Sequence, residues 1–186
     1  MKYMKKFILF SFVLLGFSTL AQDYNVSEAE NRLLGKLETL RNAETDQSKK
    51  SANEDFKSDL AAVLENKSSF SHPFSSLTSV GFIDCKDGMV RIINWNVEQA
   101  DQSQRYFAFV QHFDKRKKEL TVTELKEDVF GLRQPDDVID AENWYGALYY
   151  KIIPVKKGSR TMYTVLGWDG NTTMSNIKLI DAMYIN

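Results

Sequence analysis

Near residue 70 the apolar residues change their spacing, and no other feature constrains the fold of this 186-residue chain as much. Upstream they recur at steps of three and four, as on one face of a helix. Downstream they alternate, as in a half-buried strand. A chain that begins helical and continues as a run of hairpins is α+β. In residues 26–42 the helical stripe is Val26, Leu33, Leu37 and Leu40, widened by Leu34. Asn25 or Ser27 is placed to cap it, and Glu28 and Glu30 suit the positive end of the helix dipole. In residues 52–65, Ala52, Phe56, Leu60 and Leu64 stand four apart, with Val63 beside them. The polar run at 46–51 is either a loop that folds the helices into an antiparallel hairpin or the solvated middle of one long helix. The lapse of the apolar stripe there favours the hairpin.

Turn residues then divide the alternating region. Asp87-Gly88 between 80–85 and 89–97 is a strong hairpin signal. A tight turn there pairs Asp84 with Arg91, Phe82 with Ile93 and Val80 with Trp95, an opposite-charge pair followed by apolar ones. A second hairpin joins 105–113 to 120–125 through the charged run 114–119, which reads as a solvated tip and not as a basic binding patch. Residues 126–143 are acidic, with Pro135, Asp128, Asp136, Asp137 and Asp140, and read as a long loop with one helical turn. The third hairpin, 145–155 with 160–168, has apolar or aromatic residues on both faces. A tight turn within 156–159 pairs Ile153 with Met162, Ile152 with Tyr163, Tyr150 with Val165, Tyr149 with Leu166 and Ala147 with Trp168. Apolar character on both faces predicts a hairpin that is central in its sheet or covered on both sides. Asp169-Gly170-Asn171 then turns the chain into a last strand at 177–184. The expected architecture is an N-terminal helical pair, 22–69, packed on a meandering antiparallel sheet of about seven strands, 70–186. The sheet either stays open or curls into a half-barrel, and both segments form one domain.

The start of the chain bears on compartment. Lys2, Lys5 and Lys6, an apolar run from Phe7 to Phe17, and small residues before a cut at Ala21 follow the order of a cleavable signal peptide, residues 1–21. The run is shorter than the roughly 20 residues that cross a bilayer. Without it, 165 residues remain, enough for one core. Three of the 24 basic residues leave with it and none of the 25 acidic ones, so the remainder carries about −4. That mild acidity offers no basic stripe for nucleic acid and no polybasic patch for a membrane surface. A periplasmic or secreted location, with no membrane span after cleavage, is the expectation. The lone Cys85 lies in a strand-like run and reads as a small buried residue rather than a reactive thiol.

Chemistry is thinly marked. The two histidines, His72 and His112, fall in different elements with no ligand at helical or strand spacing, so no metal site or cofactor is expected. The serines around His72 lack the glycines of a nucleophile elbow, and nothing singles out two of the acids as a hydrolytic pair. Aromatics are abundant, and a sheet face of Trp and Tyr with Asp or Asn at its rim can grip a sugar ring. Trp95, Trp144, Tyr149, Trp168 and Asp169 are the residues such a site would use; core filling is the competing reading.

Two stretches carry a resemblance. Phe82-Ile83-Asp84-Cys85-Lys86-Asp87-Gly88-Met89-Val90-Arg91-Ile92-Ile93-Asn94-Trp95-Asn96 resembles a strand–turn–strand of uncharacterised exported β-rich proteins of Bacteroidota. Asn143-Trp144-Tyr145-Gly146-Ala147-Leu148-Tyr149-Tyr150 and Leu166-Gly167-Trp168-Asp169-Gly170-Asn171 resemble a later signature of the same group. The similarity spans about 70–186 and implies export and β-architecture without an established activity. Members of that group run on past the point where this chain stops, so a C-terminal truncation is a further expectation. The reading is an exported, non-catalytic structural or interaction protein of the envelope, with an envelope protein or a glycan as partner. The alternatives are a small-ligand or glycan-binding module built on the strand aromatics, or a hydrolase using unrecognised carboxylates.

Overall fold

The structure, a computed structural model, describes residues 24–128, 138–158, 160–172 and 174–185. The leader-like residues 1–21, the loop residues Pro135, Asp136 and Asp137, and Asn186 lie outside them. Two helices, α1 (Val26–Arg41) and α2 (Asp46–Leu64), precede seven antiparallel strands. Helix α1 follows its stripe: Val26, Ala29, Leu33, Leu37 and Leu40 are buried, and Asn25 caps the start by accepting the Glu28 N–H. Helix α2 starts earlier than the apolar pattern does. Thr45 caps it in a reciprocal capping box with Ser48, so residues 46–51 are its first turns and the break between helices falls at 42–45. The lapse of the stripe therefore marks a helix face in water, not a loop. The helices do fold back on each other, with Lys36 Nζ 2.6 Å from Asp59.

Strands β1 (Gly81–Asp84), β2 (Val90–Glu98), β3 (Gln104–Asp114) and β4 (Glu119–Leu125) form one sheet in chain order. Strands β5 (Leu148–Lys157), β6 (Arg160–Thr172) and β7 (Ser175–Met183) form a second. The α+β class and the seven antiparallel strands hold, and the strands are divided four and three. The four-stranded sheet lies in the middle. Its β2 side chains alternate between the layers: Ile93, Trp95 and Val97 join the helices, whereas Val90 and Ile92 join the core shared with the second sheet. Strand β3 does the same, with Phe109 toward the helices and Tyr106, Ala108 and Val110 toward the second sheet. Cover on both faces explains why β2 is buried along nearly its whole length, polar Arg91 and Asn94 included.

The first hairpin has the expected register, Phe82 opposite Ile93 and Asp84 opposite Arg91. Its turn is centred one residue earlier, with Gly88 N–H donating to Cys85 O at 3.0 Å and Gly88 at φ +64°. The third hairpin departs from expectation. Its strands close across Lys157 and Arg160, Ile153 lies opposite Thr164, and Ile152 opposite Val165. Gly158, at φ +63°, opens the two-residue turn instead of ending it, which moves the register by two. A shift of two leaves each side chain on its own face. A bulge between Tyr149 and Lys151 then shifts the pairing to Leu148 with Trp168. Nor is β5 central or doubly covered: it is an edge strand, and Tyr150 (55%) and Ile153 (38%) are exposed, because the helices cover the other sheet. Residues 169–171 do not turn the chain either. They lie within β6, where Asn171 at φ +46° accompanies a register irregularity, and the turn follows at Thr172–Ser175.

Candidate functional site

A groove of about 460 Å³ opens on the helix side, between the first turns of α2 and the β2–β3 turn. Local chemistry fixes both walls. Asp46 Oδ1 accepts the Ala100 N–H at 2.8 Å, and Lys49 Nζ donates to Glu98 O at 2.7 Å, so the start of α2 is clipped to the β2–β3 connection. Within that turn Gln99 N–H donates to Ser103 O, and Asp101 Oδ1 accepts from both the N–H and the hydroxyl of Ser103. The floor includes Phe107 and Asn53. The Phe107 ring stacks on Trp95 with centroids 5.5 Å apart, and Phe56 meets the other indole contact edge-on at 5.3 Å. Asn53 is buried, and its Oδ1 accepts the Trp95 Nε1–H at 2.8 Å.

The aromatic residues named from the sequence do not come together. Trp95 lies under the helices, 1% exposed, beneath the groove and not in its lining. Trp144 and Tyr149 are buried in the core between the sheets, where Trp144 Nε1–H donates to Tyr149 OH at 2.9 Å and Tyr149 OH donates to Asp181 Oδ2 at 3.0 Å. Trp168, half-buried, faces outward and lines a second, shallower groove of about 440 Å³ with Gln102, Gln104 and Asn176. Asp169, its neighbour, is turned the other way. Core packing accounts for the three buried rings: Trp and Tyr fill volume between layers and their polar ends find partners there.

Asp169 belongs to a cluster that sequence reading did not find. Its Oδ1 accepts Tyr106 OH at 2.8 Å and the Asn171 N–H, and its Oδ2 accepts Tyr145 OH at 3.2 Å. Tyr106 OH in turn accepts the Gly170 N–H at 2.6 Å. Burial and the nearby Asp169 carboxylate push the Tyr106 phenol up. Glu127 stands beside this cluster with Arg105 Nε 3.2 Å from its Oε2. Burial raises the Glu127 carboxyl, Arg105 opposes the rise, and the charge of Asp169 adds to it. Gly146, at φ +87°, is required here, since a Cβ would sit 2.7 Å from Glu127 Oε1. This is two acids with phenols, the raw material of acid–base chemistry. Both oxygens of Asp169 are nevertheless committed to internal donors, and neither acid lines either groove.

A third polar cluster ties the 66–80 segment to the helices. Glu30, buried in α1, meets His72 Nε2 at 2.5 Å and accepts the Ser76 N–H at 2.6 Å. Burial alone would raise its carboxyl; the His72 and Ser76 contacts outweigh it and hold the group below its ordinary value. Buried Arg91 pairs with Asp84 at 2.7 Å and donates to the carbonyls of Ser69 and His72. Cys85 is buried, and burial pushes its thiol up to about 11, which makes it a poor nucleophile. Among the described residues no three or more His, Cys, Asp or Glu are arranged to hold a metal ion, and no helix is long and apolar enough to cross a membrane.

The signal that could have pointed to the groove is Asn53. It precedes Phe56 by three residues and so lies on the apolar face of α2, where an amide needs a partner. The Glu127–Asp169 cluster had no local signal, because the two acids stand 42 residues apart and Tyr106 and Tyr145 stand 63 and 24 residues from Asp169. No family model matches the chain, and comparison with curated proteins and with solved structures returns no match.

Proposed function

We propose that this chain is an exported, non-catalytic interaction protein of the cell envelope, acting in the periplasm or outside the cell. One observation carries the reading. Trp168 faces outward, but most side chains that a catalyst or an aromatic platform would present are spent on one another, Trp144–Tyr149–Asp181 between the sheets and Tyr106–Asp169 with the exposed Tyr145. Outward on the three-stranded sheet, Ile153, Val155 and Ile180 are exposed on its uncovered face, flanked by the exposed Lys151 and Lys178 and with Tyr150 beside them at the bulge. Exposed apolar side chains grouped on one sheet face and rimmed by charges mark a contact face. The leader-like residues 1–21 support the compartment.

The test joins location and contact. Fractionation of cells making the full chain, with N-terminal sequencing of the product, should find it outside the cytoplasm and beginning near Gln22. In cross-linking on intact cells, wild type should give a discrete adduct that Ile153→Lys/Ile180→Lys loses while its thermal midpoint is retained. A cytoplasmic product of full length would refute the compartment. Hydrolysis of a substrate panel that Glu127→Gln or Asp169→Asn abolishes would refute the absence of catalysis.

A further inference from the structure

We propose that the groove between α2 and the β2–β3 turn is a binding site for a neutral saccharide of one or two rings. The site is separate from the contact face above and does not depend on it. The argument starts from Asn53. This side chain is 2% exposed and lines the groove. Trp95 Nε1–H is a donor only, so the oxygen of the Asn53 amide must be the atom that faces it. The amide nitrogen, with two N–H donors, is then the end of the side chain left to face the groove, where solvent reaches it. An acceptor on a ligand in the groove can take the place of that solvent on a donor already held in position.

The rest of the lining says what that something is. Phe107 offers an apolar ring surface held in place by Trp95. Three acids, Asp46, Glu54 and Asp101, face three bases, Lys49, Lys50 and Arg105, so the lining carries no net charge. Most of these groups are already engaged: Glu54 is paired with Lys57 at 2.9 Å and Arg105 with Glu127, while Asp46 accepts the Ala100 N–H and Lys49 donates to Glu98 O. A charged ligand would find no unbalanced field. Lys50 is exposed, has no ion-pair or hydrogen-bond partner among the described residues, and stands at the rim as a donor. An apolar floor, a donor held in place by Trp95 and a rim of mixed donors and acceptors match a pyranose, whose C–H face is apolar and whose hydroxyls both give and accept. The volume, about 460 Å³, lies in the range of small-ligand pockets.

The experiment is titration of the full chain with glucose, galactose, N-acetylglucosamine, maltose and cellobiose, followed by calorimetry and by the fluorescence of Trp95. At least one sugar should bind saturably, with a spectral shift because the indole shares Asn53 with the ligand. Phe107→Ala should weaken binding about tenfold or more. Lys50→Ala, an exposed rim change that leaves the fold intact, should weaken it severalfold, which keeps the test valid if Phe107→Ala fails to fold. Trp168→Ala should leave it unchanged. Three results would overturn the proposal: no saturable binding of any of these sugars, binding lost with Trp168→Ala and kept with Phe107→Ala, or saturable binding of glucuronate or inorganic phosphate alone.

Discussion

The two faces of the four-stranded sheet are both buried, but by different means. On the helix side the apolar core of Leu33, Leu37, Phe56, Leu60 and Trp95 encloses charged and amide groups: Glu30 against His72, Arg91 against two backbone carbonyls, Asn53 against Trp95. On the sheet side phenols meet acids, Tyr149 with Asp181 and Tyr106 with Asp169, beside one buried amide, Asn94, that donates to Tyr149 O. The carboxylates respond in opposite directions. Glu30, given N–H donors, is held below its ordinary value, whereas Glu127, partly buried near Asp169, is raised above it. Burial alone therefore does not decide the charge state of a carboxyl here; the donors that surround it do.

This contrast can be broken by substitution. The largest effect is expected from Trp95→Ala, which removes the ring shared by Phe56, Phe107 and Asn53 and should cost about 3–5 kcal/mol in urea unfolding. A loss under 1 kcal/mol would mean that the helix layer does not depend on it.

Next comes the pair of glutamates. Glu30→Gln should cost about 2 kcal/mol at neutral pH, the scale of hydrogen bonds to a charged group. The pH dependence follows from the direction of the shift. A lowered carboxyl contributes stability above the ordinary value of 4.5 and loses it as pH falls through the folded value. Wild type should therefore lose stability on the acid side faster than Glu30→Gln. Glu127 has the opposite sign: its contribution is full below 4.5 and is lost as pH rises toward the folded value. Glu127→Gln should accordingly not lower the thermal midpoint at neutral pH. Equal destabilisation by both substitutions at neutral pH would erase the distinction between the two faces.

Tyr149→Phe removes a hydroxyl bonded to Trp144 and Asp181 and should cost about 1 kcal/mol in the same assay. At the outer surface, Ile180→Ser should fall within about 0.5 kcal/mol of wild type, since Ile180 is 78% exposed. A larger loss there would reveal that this face is covered in solution.

Much of the fold is legible in the residues, and the reason differs from element to element. The stripe of α1 and the Asp87-Gly88 hairpin are local signals, each contained within about 16 residues. The start of α2 was hidden because exposed helical turns carry no apolar period, and only the Thr45–Ser48 capping box marks it. The division into two sheets depends on which layer covers which, a relation between segments that no window of sequence contains. The third hairpin shows the limit most sharply: one position in the turn moved its register by two, and alternation cannot detect a shift that preserves faces. Burial separated the candidate site residues for the same reason. Trp95, Trp144 and Trp168 are alike in composition but lie on different sides of two sheets.

The central claim is that the four-stranded sheet is a keel covered on both faces while the outer face of the second sheet is open. Native-state hydrogen exchange, resolved by residue, tests it most directly. The amides of β2 that pair with β1 and β3 should exchange only through global unfolding, and those of β7 should exchange through local opening, orders of magnitude faster. Protection of β7 equal to that of β2 would contradict the account.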